Sequence, residues 1–358
     1  MIKNLVRNLL VLMVILALLP VYSVYATVVS TFAGTGSHGS HDGENAQFNL
    51  PHGIFAGQDG RLFVADTHNN LIRTIDGYGV TERVSGDVLT RDDNRFPAGY
   101  HRDGRNALFN RPTGGLAAGD GRLFIADAAN HAIRVIDGDT VYTFAGGRQG
   151  HINGSRGSAR FNWPSAIAAD KQGNLFIADT LNHSIRRIDY QTGRVTTLAG
   201  ARGRYGYADG HAVQALFNSP MGIAVSDDGS TVYIADTGNH VIRVIENRQV
   251  RTLAGTLILD DEEVPAGGFA DGYAARFNLP QGLFLWNEGL IVADSANHRI
   301  RLVTHGGKAS TLSGTGEPGY VNGVEAQFHF PRDVYIVNGT LFIADTGNNA
   351  VRYIRKGR

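Results

Sequence analysis

The chain has 358 residues, of which 42% are hydrophobic, 18% are charged and 46 are glycine, a composition that fits a globular protein and excludes a disordered one. Its 33 basic residues equal its 33 acidic residues, so the formal net charge is zero, which argues against nucleic acid or an anionic membrane surface as the partner. The absence of cysteine excludes disulfides, thiolate metal sites and a cysteine nucleophile.

Residues 1–26 carry the pattern of a secretory signal peptide. Lys3 and Arg7 precede an apolar stretch from Leu9 to Leu19, and the segment ends in a small residue at Ala26. The pattern predicts cleavage after Ala26 and a secreted or extracytoplasmic product, in the periplasm or at the cell surface, with no membrane span. The alternative is an uncleaved anchor, but the apolar stretch is shorter than the roughly 20 residues that a span needs.

From residue 28 onward the chain repeats one phrase in six in-phase copies. Residues 176–188 give it as "FIADTLNHSIRRI". The aspartate of this phrase recurs at Asp66, Asp127, Asp179, Asp236, Asp294 and Asp345. Three shorter phrases keep step with it: one like "VTTLAG", then Asp-Gly or Asn-Gly, then one like "A-x-F-N-x-P". Repetition at this period is typical of propellers and other repeat architectures.

Each copy reads as four short strands without helical periodicity. The segment after the proline is short and apolar, "LFIAD" is rich in β-formers, and "HxIRxI" and "VTTLAG" alternate apolar and polar residues. Four strands in each of six copies predict an all-β, six-bladed β-propeller that spans residues 27–358. The isolated strand at Val28–Ala33 is expected to pair with Ala350–Ile354, completing the last blade and closing the ring.

The phrases "P-x-G-I-A", "L-F-I-A-D-T-x-N-H-x-I-R-x-I" and "V-T-T-L-A-G", in this order, resemble NHL repeats over residues 28–358. With the signal-like start, the chain looks like a secreted, bacterial-type member. The resemblance implies a six-bladed propeller that acts mostly as a binding scaffold. A few relatives of the family are enzymes, notably an amidating lyase domain with a histidine-bound zinc and a catalytic Tyr and Arg. No equivalent set can be carried over to this chain.

The repeated Asp, Asn, His and Arg are predicted to stabilise turns and pair between strands, because a single catalytic site would not occur in every blade. The repeated phenylalanines are expected to wedge between blades. Four histidines, at positions 131, 183, 240 and 298, would lie too far apart to hold one zinc ion, and the Asp-Gly loops offer too few oxygens for calcium. No cofactor is therefore predicted, with calcium or zinc as alternatives that these residues do not support.

Residues that differ between copies are better candidates for function. The position after the repeated proline should begin the innermost strand and face the mouth of the central channel. The predicted ligand-binding residues there are His52, Thr113, Ser165, Met221, Gln281, Arg332 and its neighbour Asp333. Ring closure would bring His52 next to Arg332 and Asp333, in a polar cluster suited to a small anion or a sugar. The alternative is a solvated channel lining.

Two loops between "AG" and "FN" are longer than the other four and are expected on the face that carries the "ADTxNH" turns. Exposed aromatic, apolar and charged residues on such loops are typical of a recognition surface. The candidates are Arg91, Arg95, Phe96, Tyr100 and His101 on one loop, and Leu257, Leu259, Asp260 and Asp261 on the other. The alternative is tolerated surface insertion.

Together these features predict a secreted, monomeric binding scaffold that presents a loop-rich face to a protein, peptide or glycan. The alternative function is a lyase or hydrolase that uses His52, Arg332 and Asp333 at the channel mouth, with or without a metal ion. Fold alone does not choose between them.

Overall fold

Each sequence repeat forms one blade of antiparallel strands, and six blades form a ring. The computed structural model describes residues 27–86, 103–104 and 107–355. The predicted signal peptide at residues 1–26 lies outside the described residues. So do Arg91, Arg95, Phe96, Tyr100 and His101 of the first long loop.

The strands follow the order of the repeats. Strand β1 is Val29–Ala33, and blade 1 contains β2 (Ile54–Ala56), β3 (Leu62–Asp66), β4 (Leu71–Ile75) and β5 (Thr81–Gly86). Blade 2 contains β6 (Pro112–Ala117), β7 (Leu123–Asp127), β8 (Ala132–Asp137) and β9 (Thr140–Gly146). Blade 3 contains β10 (Gly154–Ser155), β11 (Pro164–Ala169), β12 (Leu175–Asp179), β13 (Ser184–Ile188) and β14 (Arg194–Ala199).

The second half of the ring repeats the arrangement. Blade 4 contains β15 (Gly210–His211), β16 (Gly222–Val225), β17 (Thr231–Asp236), β18 (Val241–Glu246) and β19 (Gln249–Ala254). Blade 5 contains β20 (Pro280–Trp286), β21 (Gly289–Asp294), β22 (Arg299–Thr304) and β23 (Ala309–Ser313). Blade 6 contains β24 (Pro331–Val337), β25 (Thr340–Asp345) and β26 (Ala350–Arg355).

In each blade a single 3-10 turn lies between the strand that ends in the repeated aspartate and the strand that follows it. These turns are Thr67–Asn69, Ala128–Asn130, Thr180–Asn182, Thr237–Asn239, Ser295–Asn297 and Thr346–Asn348. The described part of the chain contains no α-helix, and thus no helix long and apolar enough to cross a membrane.

The strand after each proline is the innermost of its blade, and the "VTTLAG" strand is the outermost of the four. Adjacent inner strands contact one another around the axis, and β24 returns to β2. The "LFIAD" strands are buried almost throughout, since neighbouring blades cover both of their faces. This explains why they read as continuous apolar runs rather than as alternating ones.

Strand β1 completes blade 6 by pairing antiparallel with β26, with Val29 opposite Ile354 and Thr31 opposite Arg352. The predicted closure between Val28–Ala33 and Ala350–Ile354 is therefore confirmed, as is the all-β, six-bladed propeller. Closure covers an edge of blade 6 that would otherwise present unpaired backbone groups.

Six apolar clusters fill the six interfaces between adjacent blades. Each contains the phenylalanine of one "A-x-F-N-x-P" phrase, almost completely buried, as predicted. These residues are Phe48, Phe109, Phe161, Phe217, Phe277 and Phe328. Burial of a side chain of this size contributes about 1.5–3 kcal/mol, so the wedges hold the blades together.

Glycine two residues after the repeated proline lets the inner strands converge on the axis. A Cβ placed on Gly222 would overlap the carbonyl oxygen of Gln281 in the next blade. One placed on Gly282 would overlap the side chain of Asp333. Gly282 therefore makes the space that the Asp333 carboxyl group occupies.

Candidate functional site

The Asp, Asn and Arg of the repeated phrase form a buried network in every blade. In blade 4, Arg243 Nη1 lies 2.8 Å from Asp236 Oδ2, which also accepts a hydrogen bond from Asn239, while Asp236 Oδ1 accepts one from the backbone of Asn218. The six equivalent Arg–Asp distances range from 2.6 to 3.0 Å, and both side chains of every pair are fully buried. The network is structural, because it occurs once in each blade.

The second Nη of each of these arginines binds the Asp or Asn that precedes the repeated glycine. Arg243 Nη2 donates to Asp209, and Arg186 Nη2 donates to Asn153. The glycine adds a bridge outside the outermost strand, as Gly272 does to Ala309. The Asp-Gly or Asn-Gly pair thus caps a buried guanidinium group and extends the blade, and in blades 3 and 4 its glycine begins the two-residue strands β10 and β15.

The repeated histidine connects adjacent blades. His240 Nδ1 accepts a hydrogen bond at 3.0 Å from the backbone nitrogen of Leu279, and His131, His183 and His298 accept from the corresponding residue of their next blades. Asn70 and Asn349 accept equivalent bonds through Oδ1. Burial lowers the pKa of His240, which favours the neutral ring that such acceptance requires. Within the described segments no cluster of three or more His, Asp or Glu side chains is arranged to hold a metal ion.

All seven residues predicted at the channel mouth line one central cavity of about 340 Å³. On one side of this mouth the polar groups bind each other. Thr113 Oγ1 donates to the carbonyl oxygen of Ser165 at 2.9 Å, and Ser165 Oγ donates to that of Met221 at 2.9 Å. Thr113 and Ser165 are also buried. Their hydroxyl groups link inner strands and are poorly placed to bind a ligand.

On the opposite side of the mouth, formed by blades 5, 6 and 1, fewer polar groups have hydrogen-bond partners. Arg332 Nη1 lies 3.4 Å from Gln281 Oε1, a long hydrogen bond, and Arg332 Nε is buried without an acceptor. Burial lowers the pKa of His52 well below its usual range, and the positive charge of Arg332 lowers it further. His52 and Arg332 both line the central cavity, in blades 1 and 6, whose inner strands β2 and β24 are in contact.

Asp333 lies one position deeper in the channel and is bound to the backbone. Its Oδ2 accepts from the nitrogen of Ile54 in blade 1 at 3.0 Å, and its Oδ1 accepts from the nitrogen of Val334 at 2.9 Å. Burial raises the pKa of Asp333 to about 7, against the lowering effect of these two donors. Asp333 and Arg332 are neighbours in sequence but do not form an ion pair in the described structure.

We expect Asp333→Asn to flatten the pH dependence of stability. The folded protein binds the Asp333 proton more tightly than the unfolded chain, so this group stabilises the fold below about pH 4 and loses that contribution as pH rises through about 7. We expect an effect of about 1–3 kcal/mol, because Asp333 is only half-buried. Urea unfolding from pH 4 to 8 should show a smaller decline for the variant than for the wild-type protein. Parallel profiles would contradict the assignment.

The second long loop forms an ordered hairpin on the predicted face. The amide nitrogen of Ala266 donates to the Ile258 carbonyl oxygen, and that of Asp260 donates to the Val264 carbonyl oxygen. Leu259 and Val264 are each 50% exposed, Leu257 is half-buried, and Asp260 and Asp261 are exposed. The Asp260 carboxylate accepts from the nitrogens of Glu262 and Val264, so it stabilises the turn.

Two basic residues on the face of the 3-10 turns were not among the sequence candidates: His68, in the 3-10 turn of blade 1, and Arg111, directly before Pro112 of β6. Both are exposed. The positive charges of Arg111 and Arg332 lower the pKa of His68, and His68 and Arg111 contribute to the lowered pKa of His52. The sequence could have indicated both residues, because His68 and Arg111 are basic at repeat positions where the other five copies carry uncharged residues.

Comparisons with known proteins agree with this architecture. A family model described as Teneurin NHL domain matches residues 31–246. The protein SUPPRESSOR OF QUENCHING 1, chloroplastic, of Arabidopsis thaliana is 33% identical over 282 residues, which are 73% of this chain and 25% of that protein. The chain thus spans about a quarter of the length of this relative.

Two solved structures share the fold at low sequence identity. An auxiliary nutrient binding protein from Bacteroides thetaiotaomicron is 15% identical with a TM-score of 0.67, over 92% of this chain and 76% of that one. The gluconolactonase XC5397 from Xanthomonas campestris is 16% identical with a TM-score of 0.60, over 93% and 92%. Because the family model matches more than half of the chain, the protein belongs to the Teneurin NHL domain family of NHL-repeat propellers.

Proposed function

We propose that the protein is a binding scaffold whose partner-binding element is the hairpin at residues 257–266. NHL propellers in general support protein interaction, and the hairpin belongs to one of the two loops that are longer than their equivalents in the other copies. It exposes Leu259 and Val264 beside the acidic run Asp260–Glu263. The partner class that fits is a protein or peptide segment with basic residues next to apolar ones. The proposed setting is extracytoplasmic, because residues 1–26 resemble a secretory signal.

The hairpin is inserted between two hydrogen bonds that the shorter loops also make. Thr256 donates to Ala275 as Thr315 donates to Ala326, and Gly268 donates to Phe277 as Gly319 donates to Phe328. The interval from Gly255 to Phe277 is eight residues longer than that from Gly314 to Phe328. Deleting residues 257–264 would therefore restore the loop length of blade 6 and leave both bonds possible.

The deletion is expected to abolish partner binding and to keep the fold. The test uses an array of short synthetic peptides that vary in their content of Lys or Arg and of Leu or Phe. The wild-type protein should bind best to the peptides that are rich in both the basic and the apolar residues. The deletion variant and Asp261→Lys with Glu262→Lys should lose that preference, by about tenfold or more in Kd. Asp137→Lys with Asp139→Lys is the matched control, because these exposed aspartates lie in the β8–β9 turn on the opposite face.

The proposal is contradicted if the deletion variant folds and retains wild-type peptide binding, or if the control variant loses binding equally. A preference for immobilised glycans over all peptides would contradict the proposed partner class. Far-UV circular dichroism and the unfolding temperature report whether the deletion variant has folded.

A second candidate is a lyase or hydrolase at the channel mouth. The observation in its favour is the Asp333 carboxyl group, whose pKa of about 7 would suit proton transfer. Its two oxygens already accept backbone hydrogen bonds, which makes it less available to a substrate. Stoichiometric zinc or calcium in the purified protein, lost on His52→Ala, would favour the metal-assisted form of this candidate.

A further inference from the structure

The lining of the channel mouth contains one arginine, Arg332 of blade 6, and one histidine, His52 of blade 1. Two further basic residues are His68, in the 3-10 turn of blade 1, and Arg111, directly before β6 of blade 2. The charges of Arg332 and Arg111 lower the pKa of both histidines, which favours neutral rings that can still donate an N–H. No carboxylate raises the pKa of either histidine. Arg332 therefore places a positive charge at the channel mouth of a protein whose net charge is zero.

Arg332 differs from the six arginines of the blade network. Each of those donates to a buried aspartate at 3.0 Å or less. Arg332 forms no ion pair with any described residue, and its one hydrogen bond is the 3.4 Å contact to the neutral Gln281. A half-buried guanidinium group without a counter-ion is costly, and a bound anion would offset that cost.

Asp333 does not supply the missing charge. Its two oxygens are directed to the backbone nitrogens of Ile54 and Val334. Burial alone lowers the pKa of Arg332, without an opposing effect from a nearby carboxylate. The guanidinium group and the carboxyl group therefore have separate partners, although both residues line the same cavity.

We infer that the channel mouth binds a small anion, with a phosphate or carboxylate group seated between Arg332 and His52, which both line the central cavity. A planar guanidinium group matches both oxyanions through paired N–H donors. The cavity of about 340 Å³ has room for a small molecule. This site shares no residue with the 257–266 hairpin, so it stands independently of the proposed partner surface.

The test measures binding of two defined probes, inorganic phosphate and succinate, by isothermal titration calorimetry on the full chain at constant ionic strength. At least one should bind with 1:1 stoichiometry. Arg332→Gln should weaken it by about 10- to 100-fold, the loss expected for a charge-assisted hydrogen bond. His52→Gln provides a second variant if Arg332→Gln does not fold. Arg194→Gln is the matched control, since Arg194 is exposed at the start of β14.

Binding of phosphate alone identifies a phosphate-bearing ligand, and binding of succinate alone identifies a carboxylate-bearing one. Either result supports the site when Arg332→Gln weakens it and Arg194→Gln does not. The inference is overturned if neither probe binds the wild-type protein below about 10 mM. It is also overturned if folded Arg332→Gln and His52→Gln bind as tightly as the wild-type protein, or if Arg194→Gln weakens binding equally.

Discussion

Arg243→Leu is expected to lower the free energy of unfolding by about 3–5 kcal/mol, because it leaves the buried Asp236 carboxylate without its cation. Arg243 is fully buried and donates to Asp236 at 2.8 Å and to Asp209 at 2.6 Å. It also stacks 5.1 Å from the ring centroid of Phe217, the wedge between blades 3 and 4. Urea unfolding at neutral pH measures the change.

Asp209→Asn is the matched control for this prediction. Asp209 is 43% exposed, and blades 3 and 6 already carry asparagine at this position, where Asn153 and Asn322 accept from their arginines at 2.7 Å. We therefore expect a loss of less than about 1 kcal/mol. If both variants unfold at the same urea concentration, the buried pair does not stabilise the blade in the way proposed.

Removing β1 is expected to destabilise the ring by about 4 kcal/mol or more. A chain that begins at Thr35 loses the buried Val29 and Ala33, the edge contact of Phe32 with Phe342, and the hydrogen bonds to β26. It also exposes β26 as an unpaired edge that favours association between molecules. Urea unfolding should show the loss, and size-exclusion chromatography should show the association.

A synthetic peptide of residues 27–36 should restore the truncated protein by adding the missing strand in trans. The same peptide with Val29→Asp should not, because it would bury an unpaired charge at a position that is completely inaccessible in the ring. Unfolding of the truncated chain at the wild-type urea concentration would show that closure contributes little stability.

The repeat made most of the fold predictable from the sequence. Six in-phase copies fix the number of blades, and the "LFIAD" and "HxIRxI" segments place the second and third strands because their apolar runs and turn residues are local signals. The surplus "VVSTFAG" strand at the start of the repeats predicted the pairing of β1 with β26. The sequence did not predict that the aspartate of the Asp-Gly phrase binds a buried arginine, because the two residues lie about 30 positions apart.

The candidate site was predictable by position but not by arrangement. The variable residue after each proline was expected at the channel mouth, and all six such residues line the central cavity. The sequence did not reveal that Thr113 and Ser165 bind neighbouring strands, or that Asp333 binds backbone nitrogens and forms no ion pair with Arg332. These differences depend on which backbone groups the adjacent blades bring within hydrogen-bonding distance.

By itself, the sequence determined the number of blades, the order of the strands and the pairing of β1 with β26 that closes the ring. Periodicity and turn chemistry act within one repeat and can therefore be read from the sequence. Only the tertiary structure decided which polar and charged side chains from different blades come together. It showed that His240 and its equivalents accept hydrogen bonds from the next blade, and that His52 of blade 1 and Arg332 of blade 6 line one cavity. The physical reason is that the ring sets side chains from different repeats beside each other, and the charge around a residue such as Arg332 depends on neighbours from other blades.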